Sequence, residues 1–387
     1  MRHINARELF WLLRANSPCS RADLVRLSGL SAPTVSATVE HLEKRGLVTT
    51  LGLGASAGGR PPGLLSLNPE CAYVAGLEIT SSDIRVALAD LEGNRVGQWT
   101  SRLPARETPD KVVEALAHGV DKVLMRHSIP RNKLYSVCAA APGITDLKAG
   151  NVVSAPHLQA WENVPLKRLL EEALGVSAVI ENDVNLSALG ERMEGAARGQ
   201  DDFVFLWVGN GVGAGIFVDG KLHRGAIGSA GEIGYMRVPG APRGKLSIHT
   251  TGSLEDAVGQ KGIEAAWRRM HPPDGDAKEK PITAAEILAR AAAGDPGAVQ
   301  IRDHTAAVLS DVIVNISVLL DPSMIVLGGE IGRSDELFGA VLKRVQQNDF
   351  ARFVLVASHL GKDAALTGAV KLALETAESG LLNFSIE

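Results

Sequence analysis

Three apolar patterns with helical spacing open the chain, and they predict helices over about residues 5–15, 20–27 and 31–45. Ser20 and Ser31 stand where helix N-caps belong, and Gly46 stands where the third helix should stop. One face of this third helix is apolar and the opposite face is small or polar, a shape that suits a DNA major groove. The apolar stripe is Val35, Val39 and Leu42, and the opposite face is Ala32, Pro33, Thr34, Ser36, Ala37 and Glu40.

Two strand patterns follow, over residues 47–51 and 64–67, with a glycine-rich stretch between them. They predict a β-hairpin with a long tip. The tip would offer Arg60 to a narrow minor groove. Three helices and such a hairpin predict a winged helix-turn-helix DNA-binding domain over residues 1–68. A three-helix protein-interaction module is the alternative that this pattern leaves open.

From about residue 71 the periodicity changes to strands that alternate with helices. Repeated units of this kind predict an α/β fold, in two lobes. The predicted strands cover residues 73–79, 85–90, 96–103, 134–140, 178–181, 203–208, 215–218 and 324–327. The predicted helices cover residues 109–127, 166–174, 184–194, 284–293, 295–320 and 364–379.

The charge distribution supports this division of the chain. Residues 1–68 hold eight Lys and Arg against four Asp and Glu, whereas the remainder holds 32 against 40. A basic head on an acidic body suits a head that meets a polyanion, although so small an excess can also arise by chance. We expect a cytoplasmic protein without a membrane segment, because the start lacks signal-peptide character and no uninterrupted apolar run would span a bilayer. The three cysteines, Cys19, Cys71 and Cys138, are scattered, which predicts reduced thiols.

Three short segments of the α/β part could hold a ligand. The glycines of Gly209–Gly215 could face an anion, although a β-hairpin would need glycines too. Glu181-Asn182-Asp183 is predicted at a strand end that opens a helix, where ligands bind in open α/β sheets. An Asn-Asp pair at a helix start is also an ordinary cap. Gly231–Tyr235 adds a second carboxylate, Glu232, in a tight backbone.

These segments, taken in order, resemble the ROK family of repressors, open reading frames and kinases, and within it the sugar-responsive repressors. The resemblance covers essentially the whole chain. It implies a winged helix-turn-helix ahead of a two-lobed actin-like sugar-kinase module, of the ribonuclease H-like kind. One lobe would comprise residues 69–183 with 362–387, and the other, with an oligomerisation surface, residues 184–361. The matching segments are Gly58-Gly59-Arg60-Pro61, Ala141-Pro142-Gly143, Glu181–Asn185, Gly209–Gly215, Gly228–Gly234, Asp321-Pro322 and Gly328-Gly329-Glu330.

The sequence departs from the family's kinases where ATP would bind. The kinases carry Asp-x-Gly-Gly-Thr after the first strand of the module, and the matching stretch here is Glu78–Ser82, without either glycine. In the second phosphate-binding turn Asn210 replaces the usual Thr. Because phosphoryl transfer depends on positioning the phosphates, we expect a protein that is not an enzyme and binds no ATP.

The family's zinc site is also missing from the sequence. Tyr235 replaces the usual His, and Leu246, Ile248 and Ser253 fall where the family has cysteines. None of these residues is a good zinc ligand. His249 alone would not hold the metal, so we expect no zinc and no other cofactor.

The sugar-binding positions of the family are retained. Carboxylates and amides suit sugars because each can bind two adjacent hydroxyls. Asp183 matches the general base of the kinases, which here would only bind. The alternative is that these residues are inherited and satisfy one another in a closed cleft. The resemblance implies sugar binding by Gly143, His157, Asn182, Asp183, Glu232, Tyr235 and Glu255.

The resulting hypothesis is a sugar-responsive transcriptional repressor of carbohydrate metabolism, a homodimer or homotetramer on a duplex operator. The residues expected at base edges are Thr34, Ser36 and Glu40, those near phosphates Lys44 and Arg45, and Arg60 is expected in the minor groove. Two alternatives stay open. One is an active sugar kinase with an added DNA-binding head, and the other is a regulator controlled by a protein partner without a sugar.

Overall fold

A computed structural model describes residues 2–53, 63–103, 107–158, 160–239, 246–272 and 281–382, with side chains from residue 5 onwards except that of residue 53. The N-terminal head is a winged helix-turn-helix, as predicted. Its helices are α1 (Arg2–Asn16), α2 (Arg21–Ser28) and α3 (Ala32–Lys44), and its strands are β1 (Cys19–Ser20), β2 (Val48–Leu53) and β3 (Gly63–Leu67).

Local side-chain contacts define the helices of the head. Ser20 and Asp23 form a reciprocal capping box at α2, and the Ser31 hydroxyl caps α3 by accepting from the Thr34 amide. β3 lies between β1 and β2, and both pairings are antiparallel. The two-residue β1 escaped prediction because so short a strand has no periodicity. The tip of the hairpin, with Arg60, lies outside the described residues.

The first lobe is built on a five-stranded sheet of order β11-β7-β4-β5-β6. β4, β5 and β6 form an antiparallel meander, and β7 and β11 pair in parallel. Its strands are β4 (Tyr73–Ile79), β5 (Asp83–Asp90), β6 (Arg95–Arg102), β7 (Leu134–Ala141) and β11 (Ser177–Asn182), and its helices are α4 (Pro109–Arg126) and α5 (Leu166–Leu174). A small unpredicted sheet comprises β8 (Ile144–Asp146), β9 (Asn151–Ser154) and β10 (Glu162–Val164).

The second lobe repeats this topology in a sheet of order β14-β13-β12-β15-β16. The repetition agrees with the expected two-lobed actin-like, ribonuclease H-like α/β fold. Its strands are β12 (Phe203–Val208), β13 (Val212–Val218), β14 (Lys221–Leu222), β15 (Met324–Gly328) and β16 (Val354–Ala357). Its helices are α7 (Ser253–Val258), α8 (Gln260–Met270), α9 (Ala284–Ala292), α10 (Pro296–Leu320) and α11 (Asp335–Val345).

Helix α10 bears on the expectation of a protein without a membrane segment. It is long and apolar enough to cross a bilayer, with a mean hydropathy of 1.4 over its most apolar stretch. Half of that stretch is buried, and residues such as Ile313 and Leu309 belong to the second lobe's core. A buried core helix of a globular domain has this composition too, so α10 is accounted for by packing. Charged residues, among them Asp303 and Asp311, divide α10, so it contains no uninterrupted apolar run of that length.

Two helices join the lobes, α6 (Asp183–Glu194) and the C-terminal α12 (Ala364–Leu381). They cross so closely that a Cβ on Gly368 would lie 1.9 Å from the Leu186 carbonyl oxygen, and a Cβ on Gly190 would lie 2.2 Å from that of Ala364. α6 also packs on β13, and α12 on β4 and β7. Because α6 contacts both sheets, the lobe boundaries expected from the sequence, at 183/184 and 361/362, stay a prediction.

The head and the first lobe share one hydrophobic core. Leu13 and Leu42 of the head belong to the same buried cluster as Leu374 and Leu381 of α12. All four side chains are buried. The head is therefore seated on the C-terminal helix in this structure.

The crossing of α6 and α12 yields a matched pair of glycine substitutions. Gly339 of α11 is exposed, and a Cβ added there would meet no neighbouring atom within 4 Å, so Gly339→Ala should stabilise the protein by about 0.5–1 kcal/mol. Gly368→Ala should instead destabilise it by roughly 1–3 kcal/mol or more, because the new methyl group meets backbone. Urea unfolding of both variants checks this. Equal stabilisation by the two alanines would show that the crossing is not tight.

Candidate functional site

The seven residues predicted to bind a sugar line one cleft of about 490 Å³ between the lobes. The carboxyl ends of β7 and β11 form its first-lobe side, and the β12–β13 turn and the segment before α7 form its second-lobe side. These residues come from five separate stretches of the chain, so the fold brings them together. They are Gly143, His157, Asn182, Asp183, Glu232, Tyr235 and Glu255.

Two of the predicted residues shape the cleft wall more than they offer hydrogen bonds. The Asn182 amide oxygen caps α6 by accepting from the amides of Val184 and Asn185, at 2.9 and 3.0 Å. Its amide nitrogen donates to the Gly143 carbonyl at 2.9 Å, which leaves one N–H for a ligand. Gly143 has φ 80°, and a Cβ there would lie 2.2 Å from the Ser154 carbonyl oxygen, so the position requires glycine.

Asp183 follows directly and opens α6. Its carboxylate accepts from the Val184 amide at 2.9 Å. Burial, and after it the charge of Glu78, raise the pKa of Asp183 to about 7. Near neutral pH this carboxyl group therefore exists in both forms, and can accept from or donate to a sugar hydroxyl.

The second-lobe side carries a similar group. Burial, followed by the charge of Glu255, raises the pKa of Glu232 to about 7. Burial, followed by Glu232 and Glu255, raises the pKa of Tyr235 to about 12, so its hydroxyl stays protonated. That hydroxyl donates to the Ile248 carbonyl at 3.3 Å. The cleft thus presents hydrogen-bonding groups whose charge is suppressed by their surroundings.

Glu255 is held in place from both lobes. One oxygen accepts from the Val212 amide at 3.2 Å, and the other lies 3.2 Å from Nε2 of His157. Nδ1 of His157 is buried and has no hydrogen-bond partner among the described residues. A buried imidazole nitrogen without a partner is unfavourable, and it marks this wall as incompletely satisfied. His157 therefore lies where it was predicted and also bridges the lobes.

At the other end of the cleft the turn after β4 uses its own N–H donors. The Thr80 amide donates to the Asp83 carbonyl at 2.9 Å. The amides of Ser82 and Asp83 donate to the Thr80 hydroxyl, at 3.3 and 2.9 Å. Across the cleft the Asn210 amide donates to the Ser81 hydroxyl at 3.2 Å. The two turns contact each other, and three amide donors of the first are engaged within it.

A buried ion network that the sequence did not predict lies beside Asp183. Arg85 donates to Glu78 at 2.8 Å and also contacts Asp363 and, at 2.6 Å, the Lys362 carbonyl. Burial raises the pKa of Glu78 to about 7, although Arg85 acts in the opposite direction. The Glu78–Arg85 pair could have been predicted from the sequence, because a β4–β5 hairpin places Arg85 directly opposite Glu78. The contact with Asp363, nearly 280 positions away, could not have been predicted in this way.

Comparison with known proteins agrees with this architecture. The model of the ROK family matches residues 74–376, and that of the MarR family matches residues 4–54. The chain belongs to the ROK family. It is 26% identical to the xylose repressor of Caldicellulosiruptor bescii over 99% of this chain and 98% of that protein. It is 30% identical to the glucokinase of Streptomyces coelicolor over 78% of this chain and 97% of that protein.

A solved structure supports the same fold over both parts of the chain. The crystal structure of a ROK family transcriptional regulator, described as a homolog of the E. coli MLC protein, superimposes with a TM-score of 0.78. It is 24% identical and covers 98% of each chain. The relatives of this ROK chain therefore include both repressors and sugar kinases, and its own site must decide between them.

The residues that stand at the positions of the ROK family's zinc ligands do not fit a zinc ion. The Tyr235 hydroxyl donates to a carbonyl, and Nδ1 of His249 lies 3.1 Å from a carboxylate oxygen of Glu162. Within the described ranges no group of three His, Cys, Asp or Glu is arranged for a metal. Leu246 and Ile248 offer no soft donor. That the protein binds no zinc stays a prediction, which rests on the chemistry of these side chains.

The DNA-binding candidates lie on the outer face of α3. Thr34 and Ser36 are partly exposed, and Glu40 and Lys44 are exposed. Arg45 was predicted near a DNA phosphate, but one of its guanidinium nitrogens donates to the Leu381 carbonyl of α12 at 2.9 Å. Its assignment to a DNA phosphate is therefore less well supported than that of Lys44.

Asp183 provides a test through the pH dependence of stability. The folded-state pKa is raised, so between about pH 4 and 7 the folded state binds more protons and stability falls as pH rises. Asp183→Asn removes this effect. The melting temperature of the variant relative to wild type should therefore rise by a few degrees between pH 5 and pH 8, because a kcal/mol shifts the melting temperature by roughly 2–4 °C.

The control is Glu172→Gln, which removes an exposed carboxylate paired with Arg168 on α5. Its difference from wild type should not change between these pH values. An Asp183→Asn difference that is also the same at pH 5 and pH 8 would contradict the account of Asp183. Differential scanning fluorimetry in matched buffers provides the measurement.

Proposed function

We propose that this ROK protein is a DNA-binding, sugar-responsive transcriptional repressor of carbohydrate metabolism whose module binds its sugar without phosphorylating it. The observation that carries the proposal is the contrast between the two ends of one cleft. The sugar end gathers seven polar or shape-determining residues, whereas at the phosphate end the amides of Thr80, Ser82 and Asp83 are engaged within their own turn.

The chemistry of the sugar end supports a neutral polyhydroxylated ligand. Asp183 and Glu232, each with a pKa of about 7, can exchange donor and acceptor roles with hydroxyl groups. Among the described residues six carboxyl groups line the cleft, against Arg85 and Lys362 as its Lys and Arg. Arg85 is neutralised by Glu78 and Asp363. A phosphorylated sugar would therefore meet net repulsion, so we infer an unphosphorylated effector.

The head supports binding to duplex DNA. Its third helix presents Thr34, Ser36, Glu40 and Lys44 outward while its apolar residues are buried in the core. We infer a cytoplasmic protein. As a homodimer or homotetramer it would place two such helices in successive major grooves of its operator. The name of the xylose repressor relative, which spans the same length, agrees with this function.

An active sugar kinase is the second candidate, and the glucokinase relative is the observation that favours it. Asp183 remains in the position of a general base. Against this, the turn after β4 lacks glycine, and the Asn210 side-chain amide donates to the Ser81 hydroxyl across the cleft. With the amides of Thr80, Ser82 and Asp83 engaged within their turn, the positioning of ATP phosphates loses part of its contribution.

The test combines ligand binding with turnover. D-xylose, D-glucose, N-acetyl-D-glucosamine and glucose 6-phosphate are screened by thermal shift, and ATP consumption is followed in a coupled assay. A neutral sugar at about a hundredfold excess over its Kd should stabilise by about 2.7 kcal/mol. We expect this shift for at least one neutral sugar, none for the phosphate, and no sugar-dependent ATP consumption.

Variants at the two ends of the cleft provide the matched control. Glu232→Gln should abolish the sugar shift, whereas Glu330→Gln, at the phosphate end, should keep it. Sugar-dependent turnover comparable to that of glucokinases would favour the kinase. A protein that binds operator DNA but responds to no neutral sugar would favour control by a protein partner.

A further inference from the structure

Helix α12 connects the cleft with the head. Its 18 residues span about 27 Å. Lys362 and Ala365, at its start, line the cleft. Leu381, at its end, contacts the head.

At the cleft end an arginine holds the start of α12. Arg85 contacts both Asp363 and the Lys362 carbonyl while it pairs with Glu78. Arg85 and Glu78 are mostly buried, with 13% and 8% of their side chains exposed. Glu78 is the charge that acts most on Asp183, so a ligand that engages Asp183 changes the electrostatic surroundings of this network.

In its first two turns α12 is fixed to α6, the helix that Asp183 opens. The glycines at the crossing allow α6 and α12 to meet backbone to backbone, as described above for Gly190 and Gly368. On its other side α12 meets β4 at Gly76, where a Cβ would lie 2.9 Å from the Leu366 carbonyl oxygen. Contacts this close permit little independent movement of either helix.

At the head end two arginines hold the DNA-binding helices. Arg14 of α1 pairs with Glu378, whose side chain is 5% exposed. Arg45, which forms the C-terminal cap of α3, donates to the Leu381 carbonyl, the last residue of α12. A cation at the C-terminus of a helix is favoured by the unsatisfied carbonyls and by the helix dipole. The recognition helix is therefore tied to the end of α12.

We propose that Arg14 and Arg45 are positioning residues that set the recognition helix on α12, and that Arg85 links the cleft to the same helix. This inference rests on the proposed function, because it explains how a sugar in the cleft reaches the head. A ligand acts only through its different affinities for two arrangements. Both sites contact α12, so the proposal requires two arrangements of α12 that a sugar binds with different affinities.

Amide hydrogen exchange on the full-length protein, without sugar or DNA, tests the link. Arg85→Gln alters the cleft end only. We expect at least tenfold faster exchange in α12 and also in α1 and α3, because the helix that seats them is released. The control is Arg131→Gln, which removes an exposed contact with Asp121 of α4 in the same lobe. It should leave exchange in α1, α3 and α12 as in wild type.

The reciprocal variant tests the same link from the head. Glu378→Gln keeps an acceptor for Arg14 but removes the charge, and coupling between two sites must act in both directions. We expect faster exchange at the start of α12 and in the Glu78–Arg85 hairpin as well as in α1. If Arg85→Gln fails to fold, this variant alone decides.

Two results would overturn the proposal. One is an Arg85→Gln effect confined to the first turn of α12, with α1 and α3 exchanging as in wild type. The other is a Glu378→Gln effect confined to the head. Neither result depends on operator or sugar binding, so a failure of the proposed function would be recognised separately, by the absence of sugar stabilisation.

Discussion

The backbone-to-backbone crossing of α6 and α12 is the contact on which the arrangement of the molecule depends. Glycine at positions 190 and 368 allows it, since any side chain there would meet a carbonyl oxygen. α6 begins at Asp183 in the cleft, and α12 carries the head at its far end. The crossing therefore fixes the distance between the place where a ligand would bind and the place where DNA would bind.

The cleft illustrates how burial prepares a site for a neutral ligand. Its carboxyl groups lie close together and away from water, which raises the pKa of Glu78, Asp183 and Glu232 to about 7. Such an arrangement costs stability in the absence of a ligand, and hydroxyl groups that satisfy it would recover part of that cost. The same cluster of carboxyl groups disfavours phosphate, in agreement with a phosphate end whose turn is closed on itself.

The sequence predicted what depends on local patterns. The caps at Ser20 and Ser31, the buried stripe of α3 and the strand end at Asn182 are set by neighbours in the chain, and all appear in the structure. The seven cleft residues came from the family resemblance, and their convergence on one cleft agrees with it. The ion network around Arg85 was within reach, because Glu78 and Arg85 are cross-strand partners.

Part of what the sequence did not predict depends on distant contacts or on elements too short to show a period, although the 11-residue helices α8 and α11 were not predicted either. β1, β14 and the small sheet of β8, β9 and β10 have two to four residues each. The contacts of Arg14 with Glu378 and of Arg45 with Leu381 join positions 364 and 336 residues apart. Arg45 was predicted to contact a phosphate because it is a basic residue directly after the recognition helix. Only the fold shows that it donates to the Leu381 carbonyl.

The central claim is that a sugar bound in the cleft changes the affinity of the head for DNA. Operator affinity measured with and without sugar tests this claim most directly. A duplex selected from random sequences by the full-length protein is titrated in fluorescence anisotropy at fixed salt. The neutral sugar that stabilises the protein should weaken operator binding by about 5–150-fold, the usual range of coupling between two sites. An operator affinity that is unchanged when the cleft is saturated would contradict the account.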